Sequence, residues 1–173
     1  TSPYAFHQFF LNAEDSQVGH YLRIFTTRSK EEIEELERET AERPFLRLAQ
    51  RALADDITDL VHSPAERQAA TDAAAALFGR SDLALLPEST LRAVTAELSA
   101  ATVTVGETLP SVIEVLAESG VVASRSAARR ASEEGGAYLN NAKVTDVDAR
   151  VRPDDLLAGR YLITRRGKKT VGA

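Results

Sequence analysis

Apolar positions in the first hundred residues recur with helical spacing. Phe6, Phe9 and Phe10 follow a Ser2-Pro3 start, in which a capping hydroxyl precedes a proline at the first helical position. Val18, Tyr21, Leu22 and Phe25 fall at i, i+3, i+4 and i+7, which predicts a helix from Ser16 to Phe25. Ser29 and Glu32 have the spacing of a capping box, in which the two side chains satisfy orphan backbone N–H groups. They open a helix with a strongly acidic exposed side that ends near Pro44. Leu46, Ala49, Leu53, Ile57 and Leu60 form the next apolar stripe. Ser63-Pro64-Ala65-Glu66 is a second capping box, and the alanine-rich helix it opens stops at Phe78-Gly79, where glycine suits a left-handed cap. Pro87 to Leu98 supplies one more helix. Core packing is the expected role of these apolar residues.

The pattern breaks between Ala100 and Thr108. Thr102, Val103, Thr104 and Val105 are β-branched and precede Gly106, which predicts an extended linker over 103–108. It separates a helical domain over 1–102 from a second domain over 109–173. Leu109, Val112, Ile113 and Leu116 resume the helical stripe, ended by Gly120. A turn at Val121–Ala123 leads to Ser124, a good cap for a helix through Glu134. On that helix Arg125 and Arg129 lie four residues apart and so share a face, with Arg130 on its shoulder. Ala127, Ala128 and Ala131 are left for the inner side, and Gly135-Gly136 stops the helix. Ala137 to Val144 reads as a hairpin turning at Asn140-Asn141-Ala142, with positive φ at Asn141. Arg160 to Thr164 is the last expected strand, with Arg165, Arg166, Lys168 and Lys169 running off it. The fold class is mainly α: an N-terminal helical domain followed by a small α+β module of two helices and a short, mostly antiparallel sheet.

Composition narrows the chemistry. With 173 residues, 43% hydrophobic, the chain is long enough for one domain or two small ones and for a packed core. The absence of cysteine excludes disulfides, thiolate metal sites and cysteine nucleophiles. His7, His20 and His62 are scattered, give no metal site, and read as polar positions at helix interfaces. No apolar run reaches the roughly 18–20 residues of a membrane helix and no signal-peptide pattern opens the chain, so a cytoplasmic protein without a membrane partner is expected. The lack of any methionine, even at position 1, implies a processed product or a piece of something longer.

The net charge of −5 conceals an asymmetry. Residues 1–102 carry 10 Lys and Arg against 17 Asp and Glu, whereas residues 103–173 carry 11 against 9. From Arg160 onward five basic residues face no acid at all. An acidic scaffold with a basic end suggests a polyanion-binding surface, most commonly for nucleic acid.

Ser124-Arg125-Ser126-Ala127-Ala128-Arg129-Arg130, then Gly135-Gly136, Leu139-Asn140-Asn141 and Lys143-Val144, resemble the α-L motif, an RNA-binding unit shared by a small-subunit ribosomal protein and several RNA-modifying enzymes. Gly159-Arg160-Tyr161-Leu162 and Arg165-Arg166-Gly167-Lys168-Lys169 are most similar to the C-terminal end of bacterial tyrosyl-tRNA synthetases. The front of the chain agrees separately. Thr1 to Asn12 resembles the segment after the catalytic signature loop of those enzymes. Tyr21 to Thr26, the acidic helix and Leu60-Val61-His62 resemble their helical anticodon-binding domain. The resemblance covers essentially the whole chain. Asn141 departs from it where the motif usually has glycine, as does Ala137 where a β-branched residue is commoner.

The resemblance implies a tRNA-binding portion of a tyrosine–tRNA ligase, which attaches tyrosine to its tRNA using ATP. It implies that the anticodon stem and long variable arm are gripped by Arg125, Ser126, Arg129, Arg130, Asn140, Lys143, Arg160, Arg165, Arg166, Lys168 and Lys169. The Arg160–Lys169 segment would line the opposite side of a groove. The His-Ile-Gly-His-like and Lys-Met-Ser-Lys-Ser-like catalytic motifs are absent; Val18-Gly19-His20 and Lys168-Lys169-Thr170 are coincidental echoes. No catalytic residue, metal or cofactor is therefore expected in this chain, which should be inactive alone. ATP and tyrosine would belong to the catalytic domain, and the full enzyme would be a homodimer while this portion is a monomer. Two other classes compete: a stand-alone, non-enzymatic RNA-binding protein of the α-L type in ribosome assembly or rescue, and an acidic helical interaction protein with an incidental basic tail.

Overall fold

Serine hydroxyls start the helices where their spacing predicts. Ser2, Ser29, Ser63, Ser111 and Ser124 each accept a hydrogen bond from the backbone N–H three residues on, at 3.1–3.2 Å. At Ser29 the box is closed by its own N–H donating to Glu32 Oε2 at 2.8 Å. In the computed structural model, which describes residues 1–98 and 100–173, the chain forms two compact units, Thr1–Thr71 and Asp72–Ala173. No helix among the described residues is long and apolar enough to cross a membrane.

The first unit holds helices α1 (Pro3–Leu11), α2 (Asp15–Phe25), α3 (Lys30–Glu42) and α4 (Leu48–Val61); α5 (Pro64–Leu77) crosses the division. The first three pack on α4 around Val18, Leu22, Ile33, Ala49 and Leu53. Leu22 and Leu53 are wholly buried, each contributing about 1.5–3 kcal/mol. Leu60 departs from the expected stripe and is 76% exposed. Its angular position on α4 is right, but it lies in the last turn, and helical period does not encode where packing stops. Phe9 of the aromatic stripe is likewise exposed. His7 is buried, with Nε2 2.8 Å from Asp55 Oδ1, and the His62 ring meets Phe6 edge-on. His20 is exposed, contrary to the interface expected for it. The Val18-Gly19-His20 echo lies inside α2. Gly19 there leaves room for Glu37, which Arg23 grips at 2.6 and 2.7 Å and so holds below the usual carboxyl range.

The second unit contains the end of α5, then α6 (Glu88–Glu97), α7 (Val112–Glu118), α8 (Arg125–Glu133) and four strands. The stretch 103–108 is without regular structure and lies inside this unit. Leu109 falls outside α7, because Pro110 precedes the cap at Ser111. α8 ends as predicted: Gly135 has φ +74° and Gly136 N–H donates to Ala131 O at 2.8 Å, a Schellman closure. β1 (Ala137–Leu139), β2 (Ala142–Lys143), β3 (Thr164–Arg166) and β4 (Thr170–Gly172) form one antiparallel sheet in the order β2-β1-β3-β4. Helices α7 and α8 cover it with Ile113, Leu116, Ala128 and Ala131 against Ala137 and Leu139.

Two local expectations are corrected. The hairpin turn is the two-residue Asn140-Asn141, both at positive φ, with Ala142 already paired in β2. This type I′ geometry matches the strand twist, where a type I or II turn would splay the strands. The last strand is not Arg160–Thr164, for Arg160 lies in a turn. Arg165 and Arg166 belong to β3 itself, and Gly167, at φ +61°, reverses the chain into β4. The basic end is thus a hairpin and not a trailing tail.

Gly172 closes that hairpin against α7. A Cβ there would sit 2.7 Å from Ser119 O and 2.8 Å from Val121 Cγ1, one of them main chain. Gly172→Ala is expected to cost about 1–3 kcal/mol of stability by overpacking, read as a lower urea midpoint; an unchanged midpoint would refute this packing.

Candidate nucleic-acid interface

The arginines of α8 line one groove because of helical period. Arg125, Ser126, Arg129 and Arg130 line an open groove of about 510 Å³. Its other lining comes from Ser111 and Ile113 at the start of α7, from Glu133 at the end of α8, and from Val147, Asp148 and Arg150, so that two carboxylates share the groove with four arginines. The small residues Ala128 and Ala131 turn inward to the core and set the charged face outward. Arg125 Nη2 donates to Glu114 Oε1 at 2.6 Å, and Arg129 Nη2 to Asp148 Oδ1 at 3.1 Å. Glu133 and Glu134, nearer in sequence, are not their partners. Both observed pairs are largely exposed, a setting in which an ion pair contributes only about 0–1 kcal/mol. A phosphate can replace such a carboxylate.

Arg150 is the residue that sequence reasoning missed. No helical period links it to α8; its neighbours Ala149 and Val151 bond to Val112 and Pro110 and so carry it to the groove. Only that long-range pairing could have found it.

The remaining expected residues are dispersed. Asn140 turns both ends of its amide inward: Nδ2 donates to Asp155 O at 2.5 Å, and Oδ1 accepts from Ile163 N–H at 2.9 Å. Lys143 extends over Gly135 at the C-terminal end of α8, where a cation complements the helix dipole. Arg165 lies 4.0 Å over the Tyr138 ring and donates to Gly167 O at 2.5 Å. Arg160 sits 5.3 Å over Tyr161 and 3.8 Å from Glu88. Glu88 also accepts from Arg92, whose pKa is raised first by a hydrogen bond to Tyr161 and then by Glu88. Both tyrosines of the module therefore already carry a guanidinium on one side. Neither Arg160 nor the β3–β4 hairpin lines the α8 groove, contrary to the expected opposite wall. Among the described residues, Arg130, Lys143, Arg150, Arg166, Lys168 and Lys169 have no ion pair.

Asn141, where the motif usually has glycine, uses its side chain: Nδ2 donates to Ala76 O at 2.6 Å. That bond is a second one to a carbonyl in the last turn of α5, which also accepts from Gly79 N–H at 3.1 Å, and it ties the hairpin turn to the end of α5 as glycine could not.

Comparison with known proteins decides the family. Residues 93–171 match the family described as tyrosine–tRNA ligase SYY-like C-terminal domain, and residues 1–79 match the class I tRNA synthetases (W and Y). The chain is 57% identical over 173 residues to a tyrosine–tRNA ligase of Cutibacterium acnes, covering 100% of this chain and 41% of that protein. The chain belongs to the tyrosine–tRNA ligase family. A tyrosine–tRNA ligase of Thermobifida fusca is 55% identical over 174 residues, covering 99% of this chain and 40% of that one. The chain thus spans about two fifths of the length of the curated relatives it matches, and corresponds to their C-terminal part. Among solved structures, a C-terminally truncated Aspergillus nidulans mitochondrial tyrosyl-tRNA synthetase is 35% identical, covering 45% of this chain and 23% of that chain with a TM-score of 0.43.

Proposed function

We propose that this chain is the tRNA-gripping portion of a tyrosine–tRNA ligase, and that the α8 groove takes the sugar–phosphate backbone of the tyrosine tRNA. The observation that carries this reading is the convergence of Arg125, Arg129, Arg130 and Arg150 on one open groove. Guanidinium forks suit phosphate oxygens, and backbone contacts dominate nucleic-acid affinity. Structured RNA is recognised mainly by shape and backbone. That fits a module whose two tyrosine rings are already engaged by arginines. The helical residues 1–102 and the module over 109–173 would together clasp the anticodon stem and the long variable arm.

Within the whole enzyme, a catalytic domain would bind ATP and tyrosine, and a cytoplasmic homodimer would present the acceptor end to it. This chain alone, a monomer in this reading, would not aminoacylate. Arg166, Lys168 and Lys169 at the β3–β4 hairpin would add electrostatic attraction, while Asn140 and Arg165 would act by holding the module in shape.

The test is binding of this chain to transcribed tyrosine tRNA beside a tRNA with a short variable arm, across a salt series. The expected result is tighter binding of the tyrosine tRNA at every salt concentration. Equal, purely salt-driven binding to both would reduce the module to a generic RNA binder of the stand-alone kind.

A further inference from the structure

The α8 groove has a second wall, and that wall is held more firmly than a surface loop. Val112 N–H donates to Ala149 O at 2.9 Å, and Val151 N–H to Pro110 O at 3.0 Å, pinning the main chain on both sides of Arg150. Arg150 Nη1 donates to Leu109 O at 2.9 Å. A guanidinium has five N–H donors, so one anchored donor orients the group and leaves the others for a ligand. Arg150 has no carboxylate partner among the described residues, although it lines the groove beside Asp148.

Asp148 comes from the same wall. Its N–H donates to Asp146 Oδ1 at 2.9 Å, which fixes the local turn. Its carboxylate reaches across to Arg129 on α8. An exposed carboxylate thus already occupies an anion position between the two walls, two residues from an arginine with donors to spare.

We infer that the groove is a two-walled clamp for one stretch of RNA backbone, in which Arg150 grips the phosphate that displaces Asp148 from Arg129. Arg150 is then a binding residue outside the helix motif, and Asp148 is a built-in competitor that weakens binding to any RNA unable to reach both walls. This inference rests on the reading of the groove as an RNA site. RNA is the occupant because a phosphodiester chain offers a run of small, permanent anions, matching arginines on both sides.

The test compares Arg150→Gln, Arg150→Ala and Asp148→Asn in this chain with the unaltered protein, by titration with transcribed tyrosine tRNA across a salt series. Both Arg150 variants are expected to weaken binding about tenfold and to lower the salt slope by about one counterion. Arg150→Gln keeps a donor for Leu109 O, so its circular dichroism and melting midpoint stay those of the parent. Asp148→Asn is expected to tighten binding about threefold, and to lose that gain when combined with Arg129→Ala. Unchanged affinity and slope in a folded Arg150→Gln protein would overturn the clamp, as would an Asp148→Asn protein that binds no more tightly. An Arg125→Ala/Arg129→Ala protein separates the two readings. If it binds weakly while the Arg150 variants bind normally, only the clamp fails; if it too binds normally, the RNA reading of the groove fails with it.

Discussion

Replacing Asn140 with alanine should lower the unfolding free energy by about 2–4 kcal/mol, far more than loss of a surface asparagine. The side chain closes two bonds at once, to Asp155 O and from Ile163 N–H, and ties the β1–β2 turn to the strand-free segment before β3. Removing it leaves a donor and an acceptor without partners in a half-buried site, each costing about 1–3 kcal/mol if water does not reach it. Alanine must also take φ +46°, which asparagine tolerates better. Asn140→Gly removes that strain and should recover only a small part of the loss. Asn140→Asp keeps the acceptor for Ile163 and should fall between. Urea unfolding followed by circular dichroism checks the series. A midpoint for Asn140→Ala equal to that of the unaltered chain would show that the turn does not depend on this brace.

The second large effect concerns binding. Arg125→Ala combined with Arg129→Ala should weaken tyrosine-tRNA binding by about 10- to 100-fold and lower the salt slope by about one to two counterions. Stability should hardly move, because the pairs lost with Glu114 and Asp148 are exposed. Filter binding across a salt series gives affinity and slope together, and a thermal melt confirms the fold. A normal slope in the double variant would mean that no phosphate reaches this face of α8. The contrast with Asn140 is physical: a side chain whose donors and acceptors are used inside the fold changes stability, whereas one whose partner is an exposed carboxylate changes what binds.

Local chemistry made much of this protein legible. The helix starts follow from serine hydroxyls placed three residues before an N–H they can accept, a relation confined to a few adjacent residues. The stops at Gly79, Gly120 and Gly135 follow from positive φ, again a single-residue property. The shared face of Arg125 and Arg129 follows from helical period. Alternation over three-residue strands is too short to fix boundaries. The pattern therefore starts a strand at Arg160, whereas β3 starts at Thr164, and Gly167 folds the basic segment back into β4 where the pattern lets it trail.

Where the long side chains go depends on packing between distant segments. Arg129 reaches Asp148 and Arg125 reaches Glu114, each choosing a partner over 10 residues away rather than Glu133 or Glu134 nearby. Asn141 finds Ala76 O, 65 residues away, and Arg165 finds the Tyr138 ring across a strand pair. Arg150 joins the α8 groove through backbone bonds between segments that share no periodic pattern. The sequence alone shows the helices, their caps, the place of the β1–β2 hairpin and the arginine face, because each depends on neighbours along the chain. It left open the groove's second wall and the inward turn of Asn140, because those depend on which distant main-chain groups the packed core brings within hydrogen-bonding reach.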